Sequence, residues 1–260
     1  MRVFTCKNRF EDMMTCIYDA WEYALKHGHG NVKLMREPVI QYSFADEYFH
    51  IEADEEKTKK VVRSIIRSIS YGAYIYVYYA TLYYEDTLDD IYRFLNIGFR
   101  EGAKVTTMLT EPSVIRMMEY KRKVGNEIHY SREFIRFNSI DNKVYVCHWE
   151  PKCDIIYMAA THFADRMPSE HFMIIDDNRK YAVIHPADGE MYLTDLSEEE
   201  LLRLKQTEQY ADEYRNLWST FFETIGIEQR ENAKCQRNMF PIWMRKHAVE
   251  FMDGKNEKMK

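Results

Sequence analysis

Glycine and cysteine are scarce in this chain of 260 residues: there are nine glycines and five cysteines. So few glycines leave no Gly-x-Gly-x-x-Gly turn, no Gly-x-x-x-x-Gly-Lys phosphate loop and no Gly-x-Ser-x-Gly elbow, which excludes a Rossmann dehydrogenase, a Walker ATPase and an elbow-type serine hydrolase. The cysteines are odd in number and scattered, so a secreted disulfide framework is not expected. No Cys-x-x-Cys pair occurs; Cys147 and Cys153, with His148 between them, lack the clustered spacing of a zinc or iron–sulfur site. No metal and no cofactor are therefore expected. No apolar run approaches the roughly 20 residues of a membrane span. Tyr71–Tyr84 comes closest, and its tyrosines suit half-buried packing. The opening Met1-Arg-Val-Phe-Thr lacks the apolar core of a signal peptide. The expectation is a cytoplasmic protein of a reducing compartment, without a membrane partner.

What the chain does have is aromatic residues (15%, including 20 tyrosines) and hydrophobic residues (46%), enough for a sizeable core. Phe10, Met14, Ile17, Trp21 and Leu25 recur at helical spacing and stop near Gly28, behind a strand at Val3–Thr5. Extended segments are expected at Val39–Phe44 and Tyr48–Ile51. Helices follow around Val61–Ile69, Ala73–Tyr84 and Leu88–Phe99, and from Pro112 through Lys123. From Phe134 the period becomes two. Phe134–Asn138 and Val144–Trp149 flank the turn pair Asp141-Asn142; a helix spans Asp154–Arg166; Phe172–Asp176, Tyr181–His185 and Met191–Thr194 read as an antiparallel meander. Ser197-Glu-Glu-Glu200 is a capping box opening the C-terminal helices, with an apolar face from Tyr210 to Ile225. The fold class is α+β: a mainly helical region 1–126, then an antiparallel sheet in β-β-α-β-β-β order and a basic helical tail over 127–260, which one compact domain could also hold.

Two polar groups are candidate chemistry. Glu127 and His129 would share a face of an extended segment and make an acid–base pair, with Arg132 and Arg136 following; a surface ion pair is the alternative. His162, Asp165 and Arg166 share one side of a helix end, where favourable dipole charge is the plainer explanation. If helix end and strand entrance meet at one sheet edge, both groups would line a single cleft. A third feature is the tail. The protein carries a net charge of −6, yet Glu228–His247 gathers Arg230, Lys234, Arg237, Arg245 and Lys246 against two acidic residues. These cations are interleaved with Asn232, Gln236 and Trp243. Cations neutralise phosphates, amides read base edges and an indole stacks on an unpaired base, so nucleic acid is the expected partner. Salt bridges to the acidic stretch Asp188–Glu213 are the competing explanation.

Four blocks in order carry a resemblance: Gly125-x-Glu127-x-His129 leading to Phe134-Ile-Arg136-Phe137; His162-Phe-Ala-Asp-Arg166 with Pro168; Ile174-Ile-Asp176; and Leu217-Trp218 through Ile227-Glu228-x-Arg230-x-Asn232, then Gln236 and Pro241. With the segment Phe10–Leu34, they make the chain resemble the DNA-metabolism protein family encoded beside a DNA-repair radical S-adenosylmethionine protein and sometimes fused to a uracil-DNA-glycosylase-like domain. Two positions depart from that family's pattern: Ala233 stands where proline is usual, and Ile242-Trp243-Met244 where a basic residue precedes an aromatic. The resemblance implies a DNA repair or modification process and a radical-enzyme partner. Three functions stay open: a DNA-binding accessory protein; a base-excision or other nucleic-acid hydrolase using Glu127, His129, His162 and Asp165; and a protein-interaction scaffold.

Overall fold

The computed structural model describes residues 1–140, 143–207, 220, 221, 224 and 232–248. The chain divides into two compact units, Met1–Asn126 and Glu127–Lys260.

The first unit begins as a β-α-β crossover. Strand β1 (Arg2–Cys6) leads into helix α1 (Phe10–His27), and β2 (Val32–Arg36) returns parallel to β1. Glu11 and Asp12 open α1 and Lys26 and His27 close it, each matching the helix dipole. Gly28, at φ +86°, ends the helix and donates its N–H to the Ala24 carbonyl at 2.7 Å. Strand β3 (Glu47–His50) pairs parallel on the other side of β1, giving the order β2-β1-β3. The expected strand at Val39–Phe44 is instead a loop, because Pro38 has no N–H to give a ladder; the true partner, β2, lies just before it. The outer edge of β2 is closed by carboxylates: Asp89 accepts the Leu34 N–H at 3.2 Å and Asp86 the Arg36 N–H at 2.9 Å.

Three helices complete this core: α2 (Glu55–Ser68), α3 (Tyr71–Thr81) and α4 (Leu88–Glu101). Asp54 caps α2 through the Lys57 N–H at 2.9 Å, and Ser70 caps α3 through the Ala73 N–H at 3.0 Å. The aromatic run is helical because Ala73, Val77 and Ala80 form one small, fully buried stripe.

Helix α5 (Pro112–Phe134) runs eleven residues beyond the expected Lys123. Val124 and Ile128 are buried along it, and that burial outweighs the roughly 1 kcal/mol cost of a mid-helix glycine at Gly125.

The second unit follows the β-β-α-β-β-β order: β4 (Asn138–Ile140), β5 (Val144–Trp149), α6 (Ile156–Arg166), β6 (His171–Asp176), β7 (Tyr181–His185) and β8 (Tyr192–Asp195). Sheet order is sequential, β4 to β8. The sheet is mixed rather than wholly antiparallel: β5 and β6 are parallel, because α6 carries the chain back to the same end before β6 starts. Alternation assigns the faces. Cys147, Trp149, Phe172, Ile174 and Val183 pack with Ile156, Ala159 and Ala160 of α6, while Val146, Ile175 and Ala182 pack with Leu201 and Leu204 of α7 (Glu198–Thr207). Ser197 caps α7 as expected: its Oγ accepts the Glu200 N–H at 3.3 Å and Glu200 Oε2 accepts the Ser197 N–H at 2.8 Å. The apolar face from Tyr210 to Ile225 falls largely outside the described residues. A short helix α8 (Ala233–Met239) and a 3₁₀ turn (Ile242–His247) follow. Among the described residues no helix is long and apolar enough to cross a membrane.

Candidate nucleic-acid interface

Glu127 and His129 lie within α5, not on an extended segment, so their side chains point about 200° apart around the helix. This corrects the expectation of a shared face. Glu127 is buried, and both carboxylate oxygens accept main-chain N–H groups at the approach to α6: Oε1 from Lys152 at 2.6 Å and Oε2 from Cys153 at 3.2 Å. The same loop is held from the sheet side. Asn178 Nδ2 donates to the Pro151 carbonyl at 2.9 Å, Arg179 donates to the Pro151 and Lys152 carbonyls, and Tyr181 donates its hydroxyl proton to Asp154. Burial raises the pKa of Asp176 despite the opposing guanidinium of Arg179 at 2.7 Å. Glu127 is thus a clamp on a loop. His129 is 67% exposed and pairs with Glu133, one turn on, at 3.1 Å.

His162, Asp165 and Arg166 sit at the opposite end of α6 from the Glu127 clamp. Among the described residues no hydrogen bond or ion pair joins Glu127 or His129 to His162, Asp165 or Arg166. The expected common cleft is therefore not bonded together. What His162 meets is positive charge. Its pKa is lowered first by burial, then by Arg132 of α5 and Arg166 of α6, with Asp165 opposing. Both arginines are exposed, and neither has a carboxylate partner among the described residues. Arg132 carries little signal in the sequence; only its α-helical placement brings it level with His162.

Aromatic contacts bring the tail to this same end. Phe137 meets Phe163 edge-on at 5.0 Å, and Phe134 stacks on Phe240 at 3.8 Å. Beyond Phe240, Met244 is fully buried in the core of the α6 face. The cationic tail is thus a docked segment over 240–245, and its residues divide by role. Lys234 and Arg237 are exposed on α8. Arg245 is buried, its guanidinium 5.8 Å over the Phe240 ring and its Nε–H donated to the Phe240 carbonyl at 3.3 Å, which fits packing better than phosphate contact. Asn232 spends its side-chain oxygen capping α8 through the Cys235 N–H at 2.9 Å, not on a base edge. Trp243 is half-buried with the Lys152 ammonium 5.4 Å over its ring. Arg136 closes α5, donating to the Glu133 carbonyl at 2.7 Å and the Ile135 carbonyl at 3.2 Å. Arg230 and the side chains of Gln236 and Lys246 lie outside the described residues.

A second buried polar group has no counterpart in the sequence-based expectations. His148 Nδ1 pairs with Asp177 at 2.9 Å, and Lys205 of α7 reaches the same oxygen at 3.3 Å. In the sequence Asp177 has the look of a turn residue alone. Among the described residues no three His, Cys, Asp or Glu side chains group as a metal-holding set.

A mixed sheet with helices on its faces defines the second unit as an α+β domain. The chain belongs to the family described as a domain of unknown function, DUF4130, which matches residues 85–250 and so takes in all of this surface. No curated protein and no solved structure matches the chain.

Proposed function

We propose that the second unit binds nucleic acid, DNA in the first instance, as an accessory protein of a repair or modification system whose chemistry belongs to a radical S-adenosylmethionine partner. The observation that supports binding is that Arg132 and Arg166, from two different helices, both act on His162 against Asp165, and neither arginine has an ion-pair partner among the described residues. A cation pair of this kind is suited to phosphate oxygens. Exposed Lys234 and Arg237 extend the positive surface along the tail. An accessory role is favoured over base excision because the candidate acid–base residues are spent or apart: Glu127 on main-chain N–H groups, His129 on Glu133.

The test is the salt dependence of binding to a short duplex, measured by fluorescence anisotropy on the full chain. On B-DNA each phosphate neutralised by a protein cation adds about 0.9 to the steepness of log affinity against log salt. The double variant Arg132→Glu/Arg166→Glu is expected to flatten the slope by about two such increments. An unchanged slope would remove this surface from the interface, and absence of duplex binding by the parent protein would remove the proposal. Co-purification with the radical enzyme, kept in the double variant, is the expected sign of the partnership.

A further inference from the structure

Helices α1 and α2 are pinned together at their first turns. Thr15 Oγ1 lies 3.3 Å from Thr58 Oγ1, Thr58 donates to the Glu11 carbonyl at 3.1 Å, and the Lys57 ammonium meets Asp19 at 2.5 Å. Along their later turns the two helices border a cleft of about 600 Å³, with α4 as its third side. That volume lies within the range of small-molecule sites.

The sides of the cleft differ in chemistry. Ile17, Val61 and Leu95, all buried, make its floor. Trp21 and Phe99, packed edge-on at 5.1 Å with their planes 70° apart, make an apolar wall that a third aromatic ring can extend. The α2 wall is polar: Lys60, Ser64 and Ser68 recur at successive turns, a row about 12 Å long. Among the described residues neither serine hydroxyl makes a hydrogen bond, and the Lys60 ammonium has no carboxylate partner, only the Tyr18 ring at 5.8 Å. On the α1 side stands Glu22, which makes no ion pair among the described residues. Glu22 and Lys60 therefore border one cavity with opposite charges and do not close on each other. A simple carboxylate entering the cleft meets repulsion from Glu22. A simple amine meets it from Lys60, and from Lys57, 5.5 Å over the same Tyr18 ring. A zwitterion with an apolar ring answers both charges and the wall of Trp21 and Phe99.

We propose that this cleft binds a free aromatic amino acid: ring against Trp21 and Phe99, carboxylate at Lys60 and Ser64, ammonium at Glu22. The site lies wholly within the first unit and does not rest on the nucleic-acid surface of the second.

Titration of the full chain with L-phenylalanine, 3-phenylpropionate and phenethylamine, followed by NMR chemical shifts, tests this; the last two compounds lack the ammonium and the carboxylate in turn. L-Phenylalanine is expected to bind saturably with a Kd on the order of 0.1–1 mM, and each truncated compound about tenfold more weakly. Lys60→Gln should weaken L-phenylalanine about tenfold without weakening phenethylamine. Glu22→Gln should weaken L-phenylalanine about tenfold without weakening 3-phenylpropionate. Both residues are exposed, so both variants keep the fold. Ser64→Leu, also at an exposed helical position, fills the cleft and should abolish binding of all three compounds. No saturable binding of L-phenylalanine overturns the proposal, as does either truncated compound binding as tightly as the amino acid. A charge variant that weakens all three compounds alike overturns it too, and so does a Ser64→Leu protein that binds as the parent does. The Arg132→Glu/Arg166→Glu protein should bind L-phenylalanine unchanged, so failure of one site is distinguishable from failure of the other.

Discussion

His148 Nδ1 and Asp177 Oδ1 lie 2.9 Å apart with both side chains only 8% exposed, joining the end of β5 to the turn after β6. Burial alone would raise the Asp177 pKa, but the His148 hydrogen bond and the nearby Lys205 outweigh it and leave the group below 3.8. A depressed carboxylate contributes stability that is present above its unfolded pKa and lost as pH falls through the folded one. Asp177→Asn should therefore cost about 3 kcal/mol at pH 7, and the gap from the parent should close as pH falls below 3.8. Urea midpoints for the two proteins across that range decide it; a gap independent of pH would contradict the assignment.

Glu127 and His129 make a contrast within one helix. Glu127→Ala strands two main-chain N–H groups at the approach to α6 and should cost about 2–3 kcal/mol. His129→Ala removes an exposed pair and should change stability by less than about 0.5 kcal/mol. Parallel denaturant melts that gave equal effects would argue against the clamp.

Met244 measures how firmly the tail is docked. Its side chain is fully buried among Ile135, Cys147 and Trp149, so Met244→Ala should cost about 2–4 kcal/mol. Hydrogen exchange of α6 and β6 should rise with it. Exchange confined to the tail would mean that the segment adds little to the core.

His162 supplies a pH signature for binding. Burial, Arg132 and Arg166 keep it titrating below 6.5, so it is neutral at pH 7.5. Protonation at lower pH adds a third positive charge to the surface. Duplex affinity should therefore rise as pH falls below 6.5, at constant salt. His162→Gln should remove that rise. A rise that survives the substitution must come from other groups.

Local signals were the legible part of this fold. Gly28 ending α1 and the Ser197–Glu200 box each depend on a few neighbouring residues, and each could be read directly; the strand expected over Phe134–Asn138 instead begins at Asn138, because α5 runs through Phe134. What depended on distant partners was harder. Strand β2 owes its existence to pairing with β1 across all of α1, and Val39–Phe44 was the more β-like stretch beside it. The spacing ends the helix from Pro112 at Lys123, whereas packing of Val124 and Ile128 carries it through Glu127. That one error of secondary structure moved Glu127 off the face of His129 and hid the approach of Arg132 to His162. The Glu37–His50 hydrogen bond joins the residue after β2 to the end of β3, strands that both pair with β1 but not with each other, so no spacing announces it.

The parallel pairing of β5 with β6 has a consequence for how the second unit assembles. β4 with β5, and β6 with β7 and β8, are hairpin neighbours that close over short loops. The β5–β6 seam closes only once α6 has formed and crossed over, since its partners are separated by the whole helix. Loop-closure entropy makes such a seam the slow step. Two small zippered halves should therefore form first and meet late along β5 and β6. Cys147 and Ile174, opposite each other on that seam, are the positions whose truncation should slow folding most.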